Sequence, residues 1–510
     1  MAGILWYRGE EWRSVWDYWF KWTDEHFTGD DLRPMIYTYD ELGAKALDRL
    51  DEISPAKKPP PPGEKTDAAP DPKPHRDLYA LLRDNAESDE VLGKLWTEVT
   101  TVPDWVDWAQ IERGQQVFLR YAGPAIFAVN ARPDAVVHDI PLTTPQLTFQ
   151  SLVGGMGGRR VVETLARTGG FGVKVTRRRL LETFQHILQV TRDLASVRPG
   201  GDGFASSLRV RLLHAAVRRR ILALAAERPS YYDVRAWGVP VNDLDSIGTI
   251  STFSATLLWI GLPRQGIYPT HAEKADYLAL WRWVAFVMGT PTEAFASVSR
   301  ARAMMESLLA SEIEPSDTSR VLANNVLTGL CNQPPSHVSR EFLAAETYWL
   351  NGPRLARALA VERPPFYYSL LIVGQCIFFM AMCYARRLFP SWDRSRNENL
   401  QRILFNLTVH KPELGALGRE TNFDFKYIPT LDVMSTEAAA AAAARSHGPD
   451  PSAQGPGLGT STGRRVRVTE RRSLVVLLLA VAAAGLLAWL GIRSASVLCR
   501  RVAGMVPPDA

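Results

Sequence analysis

Apolar residues recur along most of this chain with the 3.6-residue period of an α-helix, not with the alternation of a strand. Between Thr176 and Leu194, the positions Leu180, Thr183, Phe184, Ile187 and Val190 fall on one stripe, with Arg179 one turn before Thr183. Leu208 to about Glu227 continues without Gly or Pro, and Ala272–Met288 and Asn397–Leu407 read the same way. Strand-like alternation bounded by turn residues is scarce, so the pattern predicts an all-α fold.

Two runs lack charge altogether. Ser473 to Ile492 is 20 residues long, and as a helix rising ~1.5 Å per residue it matches the roughly 30 Å hydrocarbon core of a bilayer. Arginines 464, 465, 467, 471 and 472 stand before it and 493, 500 and 501 after it. Such flanks fit a spanning anchor better than a buried core helix, and the larger group before the span places that side in the cytoplasm. With few residues following, the segment reads as a C-terminal tail anchor. Pro364 to Ala385 is also uncharged over 22 residues, but Tyr367, Tyr368, Gln375 and Cys376 are scattered through it. That pattern favours a core or membrane-embedded helix over a second span.

Breakers divide the rest. Ser54 to His75 carries prolines at 59–62, 70, 72 and 74 and supports neither helix nor sheet. Glu437 to Gly463 passes from seven alanines into Gly, Pro and Ser, the composition of a tether. The division is therefore an N-terminal helical segment 1–53, a Pro-rich linker 54–75, a body 76–436, a tether 437–472, a transmembrane helix 473–492 and a tail 493–510. The charged N-terminus, MAGILWYRGEEWR, has no apolar run of signal-peptide length.

Composition narrows the function classes. The chain has 510 residues, 46% hydrophobic and 22% charged, which is too apolar for disorder. A net charge of +5 is small for this length and does not suggest a nucleic-acid binder. Four cysteines (331, 376, 383, 499) lack any C-x-x-C spacing, so neither a zinc site nor a disulfide framework is encoded, and thiols this sparse fit a reducing compartment. GGMGG at 154–158 matches no phosphate-loop pattern. The triplets Arg177–Arg179 and Arg218–Arg220 have no interleaved aromatics and read as largely solvated helix faces. There is no G-x-S-x-G elbow and hence no candidate hydrolase nucleophile.

None of the nine histidines forms an H-x-x-x-H or H-E-x-x-H pair. His186 shares its helical face with Glu182, Gln189 and Asp193, a face that reads as solvated. His214 shares its face with Val210, Val217 and Ile221, a core-facing stripe. An imidazole there is either a satisfied core histidine or a ligand. Arg179 would enter the buried face of Thr183, where it needs an anionic partner such as a carboxylate or a propionate. Glu163 lies at helical spacing from Arg160 and Arg167, where a surface ion pair is the plain expectation.

Taken in order, several blocks resemble the family that joins the rubber oxygenases (latex-clearing proteins) with the ER-bound mycophenolic-acid-pathway oxygenases. They are Pro103-Asp104-Trp105-Val106-Asp107-Trp108 with Ile111-Glu112-Arg113-Gly114-Gln115, then Ser151-Leu152-Val153-Gly154-Gly155 running to Glu163 and Thr168-Gly169. Arg179-x-x-x-Thr183, Val210–Arg218, Trp237-Gly238-Val239-Pro240-Val241-Asn242 and Trp281–Gly289 follow. The resemblance covers residues 100–290 well and 291–430 only in helical character. It implies a globin-like, all-α core holding haem b, with His214 as the proximal iron ligand. By the same resemblance Glu163 is the general base, and Arg179 and Thr183 line the pocket; with haem there, Arg179 would pair with a propionate or orient the pocket. Some rubber oxygenases carry a lysine just before the threonine; Glu182 stands here, so a lysine-capped iron is not implied.

The expected function is a membrane-anchored, haem-dependent oxygenase. It would use O2 to cleave a carbon–carbon double bond of an isoprenoid or other apolar unsaturated substrate, at the endoplasmic reticulum with the catalytic domain cytosolic. A non-catalytic tethered helical protein, or a lipid-binding protein that keeps the fold, stands as the alternative reading.

Overall fold

The computed structural model describes residues 11–55, 76–126, 153–168, 171–334, 337–423 and 468–503. Most of the expected linker at 54–75 and of the tether at 437–472 lies outside these residues. As the periodicity predicts, the described chain is almost wholly helical. The exception falls in the segment expected to be helical over 1–53. Trp12–Val15 and Tyr18–Lys21 pair antiparallel, and the two-residue turn between them places Trp16 and Asp17 at positive φ (49° and 60°). A two-residue hairpin needs that left-handed turn to match the strand twist. The hairpin is held by the body: Asp17 accepts from the Arg354 backbone N–H at 2.7 Å, and Tyr18 donates to Glu306 at 2.8 Å.

The helix Glu41–Ile53 is tied to the body through Asp40. Arg211, on the long helix Asp202–Glu227, donates twice to the Asp40 carboxylate at 2.7 Å and once to Glu98 at 3.0 Å. Its side chain is only 2% exposed. A buried guanidinium is tolerable only when its charge and donors are met in this way. The close approach explains Gly289, at φ +69°: an added Cβ would lie 2.8 Å from both the Arg211 guanidinium carbon and the Asp40 carboxylate carbon.

A second charged knot joins three helices. Thr270 and Glu273 form a reciprocal cap at the start of His271–Val287. The same Glu273 carboxylate accepts from Arg120 at 2.6 Å and Tyr121 at 2.8 Å on Trp108–Ile126, and from Arg387 at 2.9 Å on Phe366–Leu388. Around these knots, Trp281, Trp283, Leu208, Leu212 and Phe204 fill the main core. A smaller core joins Arg159–Arg167, Asp317–Leu330 and Arg340–Leu350 to the first half of Phe366–Leu388.

Among the described residues, three helical stretches are long and apolar enough to cross a membrane: Asp243–Arg264, Phe366–Leu388 and Thr469–Leu490. The first is 56% buried inside the fold and the second 39%, whereas the third is only 6% buried. Thr469–Leu490 is therefore a candidate membrane span in its own right. Its first turns dock: Thr469, Glu470 and Ser473 are buried, and an added Cβ at Gly374 would meet the Ser473 carbonyl oxygen at 2.0 Å. Leu478, Leu479, Leu487 and Leu490 then stand exposed.

Candidate active site

A cavity of about 390 Å³ opens where Arg159–Arg167, Val173–Val190, Asp202–Glu227 and Asp243–Phe253 converge, closed by Trp281, Met305 and Leu308. That volume is in the range of small-molecule and cofactor pockets, roughly 300–1,000 Å³. Val210, Leu213 and Val217 on one wall and Ile187, Leu244 and Phe253 on others make it predominantly apolar.

Most of the residues singled out in the sequence meet here. His214, Arg179 and Thr183 all line the cavity. His214 lies between Val210 and Val217 on the stripe the sequence predicted, half-buried and lining the cavity. Burial, with the Arg218 charge adding to it, pushes its pKa down to about 4, so the imidazole is neutral at pH 7. Arg179 finds the anionic partner its position required in Glu182, at 3.3 Å on its own helix. Glu182 also accepts from Arg178 at 3.1 Å. Thr183 donates to the Arg179 carbonyl at 3.0 Å.

Glu163 is placed differently. Its neighbours Arg160 and Thr164 line the cavity, but Glu163 itself does not. Its carboxylate holds Arg167 at 2.7 Å, four residues on, and Arg167 stacks over Trp237, 4.8 Å from the ring centre. The ion pair expected from helical spacing is the arrangement found.

The structure corrects the reading of two side chains. Arg218 is not on a solvated face: it is 4% exposed and donates to the carbonyls of Pro240 at 3.1 Å and Val241 at 2.7 Å. His186 is likewise not solvated but 7% exposed, and it faces the cavity. The segment at 420–423 covers that polar face of the helix. Gln185 exchanges hydrogen bonds with the Thr421 backbone at 2.9 and 3.2 Å, Gln189 donates to Glu420 at 3.2 Å, and Phe423 meets the His186 ring edge-on at 6.2 Å.

A carboxylate missed by the sequence reading also faces the cavity. Asn242 caps the helix Asp243–Phe253, accepting from the Asp245 N–H at 2.8 Å and donating to the Asp245 carboxylate at 2.9 Å. Burial pushes the Asp245 pKa up to about 7, against the pull of Arg160, whose nearest nitrogen is 4.0 Å away and is paired with Glu312. The signal was an Asn-x-x-Asp cap beside the Trp237–Asn242 block; its burial depends on distant residues.

The donor set suits a haem. Two imidazoles project into an apolar cavity, the buried Nε2 of His186 has no hydrogen-bond partner, and Arg179 and Arg160 offer cations at the rim. Among the described residues there is no cluster of three or more His, Cys, Asp or Glu side chains able to hold a bare metal ion.

The fold and cavity together describe a helical, cofactor-sized pocket protein, and comparison with known proteins narrows that class. Residues 144–371 match the family described as ER-bound oxygenase mpaB/B'/Rubber oxygenase, catalytic domain. The resemblance drawn from the sequence blocks is thereby borne out. The fold is similar to that of a latex clearing protein solved in the closed state, with a TM-score of 0.51 over 72% of this chain and 90% of that one, at 16% identity. No curated protein matches the chain.

Proposed function

We propose that the chain is a membrane-anchored, haem b-dependent oxygenase that cleaves a carbon–carbon double bond in an isoprenoid or similarly apolar, unsaturated substrate. The observation that carries this reading is the apolar cavity with a neutral, half-buried His214 in its wall, inside a region matching an oxygenase catalytic domain. When bound there, haem iron would supply the binding and activation of O2. His214 would hold the iron, and Arg179 would orient the pocket or face a propionate. The net reaction places one oxygen atom of O2 on each carbon of the broken double bond, giving two carbonyl ends.

The protein's own residues account for the rest. The apolar walls take an unsaturated hydrocarbon and exclude water from it. Thr183 places a hydroxyl at the cavity wall next to Arg179. Asp245 is the cavity-facing carboxylate able to accept an allylic proton near neutral pH. Glu163, named for that task by the resemblance, would first have to leave Arg167. The span Thr469–Leu490 would hold the domain at the surface of the endoplasmic reticulum, on the cytosolic side, where lipid-like substrates partition.

The test is to incubate purified full-length protein in detergent with a polyisoprenoid, following O2 uptake and carbonyl products. Consumption of O2 with carbonyl-ended fragments is expected. Tight lipid retention without O2 uptake or haem absorbance would overturn the proposal in favour of a lipid-binding protein.

A further inference from the structure

His186 lines the cavity with one ring nitrogen held by a neighbour and the other buried without a partner. Its Nδ1 lies 2.9 Å from the Ser206 hydroxyl. That hydroxyl has a single hydrogen, which it can donate to the Gly203 carbonyl 3.1 Å away. With that hydrogen on the Gly203 carbonyl, the Ser206 oxygen accepts from Nδ1–H of His186, and this is the tautomer that leaves the Nε2 lone pair bare. Nε2 is buried without a partner, in a ring 7% exposed and facing the cavity. A ring nitrogen buried without a partner is unfavourable unless something in the cavity meets it. Fixing one ring nitrogen as a donor so that the other can ligate is how proteins prepare a metal-binding histidine.

His214 is the other imidazole in the cavity lining. Val173–Val190 carries His186 and Asp202–Glu227 carries His214, and both rings line the same cavity. Of the carboxylates lining the cavity, Glu182 is paired with Arg178 and Arg179 and Glu312 with Arg160, while Asp245 accepts from Asn242.

We propose that His186 is a second axial ligand of the haem that His214 holds, so that the resting protein is six-coordinate through two imidazoles and O2 binds only when His186 lets go. This rests on the haem-binding reading above. It makes the 420–423 segment, which packs Phe423 against His186 and ties down Gln185 and Gln189, the part of the fold that holds the second ligand in place.

The test uses full-length, haem-loaded protein in detergent, read by visible absorption and electron paramagnetic resonance, with carbon monoxide association as a kinetic probe. The unmutated protein is expected to be low-spin in both ferric and ferrous states, with carbon monoxide binding at a rate that stops rising with gas concentration. His186→Ala should become high-spin at the same haem-to-protein ratio, bind carbon monoxide without that plateau, and return to low-spin on adding free imidazole. A high-spin unmutated protein, or a His186→Ala spectrum identical to it, overturns the inference; the first of these needs no variant to fold. Absence of any haem band in the unmutated protein would instead remove the reading beneath it.

Discussion

Asp245 shows how dry the cavity wall is. Burial raises its pKa to about 7 in the folded protein, whereas an unfolded aspartate titrates near ~3.9. Between those values the folded protein keeps a proton that the unfolded chain has released. Stability therefore falls as pH rises through that window and levels off above about pH 7. Each unit of pH inside the window is worth ~1.4 kcal/mol, so ionising Asp245 costs about 3 kcal/mol between pH 5 and pH 8. Asp245→Asn removes the charge and keeps an oxygen to accept from Asn242. Relative to the unmutated protein, the variant should gain about 3 kcal/mol of unfolding free energy between pH 5 and pH 8. Urea unfolding of both proteins at both pH values, in one detergent and with equal slopes, measures the difference. An offset that is the same at pH 5 and pH 8 would refute the reasoning, because it would mean the carboxylate titrates as if in water.

Other parts of the fold carry their own expectations. Arg211→Ala leaves Asp40 without its buried partner and should destabilise the body by about 3–5 kcal/mol; thermal unfolding within one degree of the unmutated protein would contradict that. If Asp245 accepts the substrate proton, Asp245→Asn should abolish turnover while Glu163→Gln keeps most of it. The reverse ranking, read as initial rates of O2 uptake, would return the role to Glu163. Truncation after Leu477 removes the exposed apolar stretch but keeps the docked turns, so flotation with phosphatidylcholine vesicles should be lost without loss of fold. Continued flotation would place the membrane contact elsewhere, with the exposed Phe366 and Leu388 as the first candidates.

What the sequence disclosed and what it hid follow from the range of the interactions involved. Helical periodicity is local, so the helices, the cavity-facing stripe of His214 and the Glu163–Arg167 pair were all readable. The apolar C-terminal helix was readable for the same reason. His186 was misread because its cover comes from residues 420–423, more than 230 positions away in the chain, as with the 236-residue separation of Gln185 and Thr421. Polar neighbours such as Gln185 and Gln189 look solvated until a distant backbone satisfies them. Asp245 was missed likewise, since its helix cap is local but its desolvation is tertiary. Arg218 reads as one of a basic triplet, yet its donors are taken by two carbonyls of a loop some 20 residues on. The hairpin Trp12–Lys21 was hidden in a segment whose later part is helical, and its Trp-Asp turn lacks the usual Asn-Gly signal.

The central claim is that this cavity binds haem through His214, and an absorption spectrum of the purified full-length protein tests it most directly. A Soret band with about one haem per chain, falling to a small fraction in a folded His214→Ala variant, is the predicted result. No band in the unmutated protein, or undiminished haem in His214→Ala, would contradict the account.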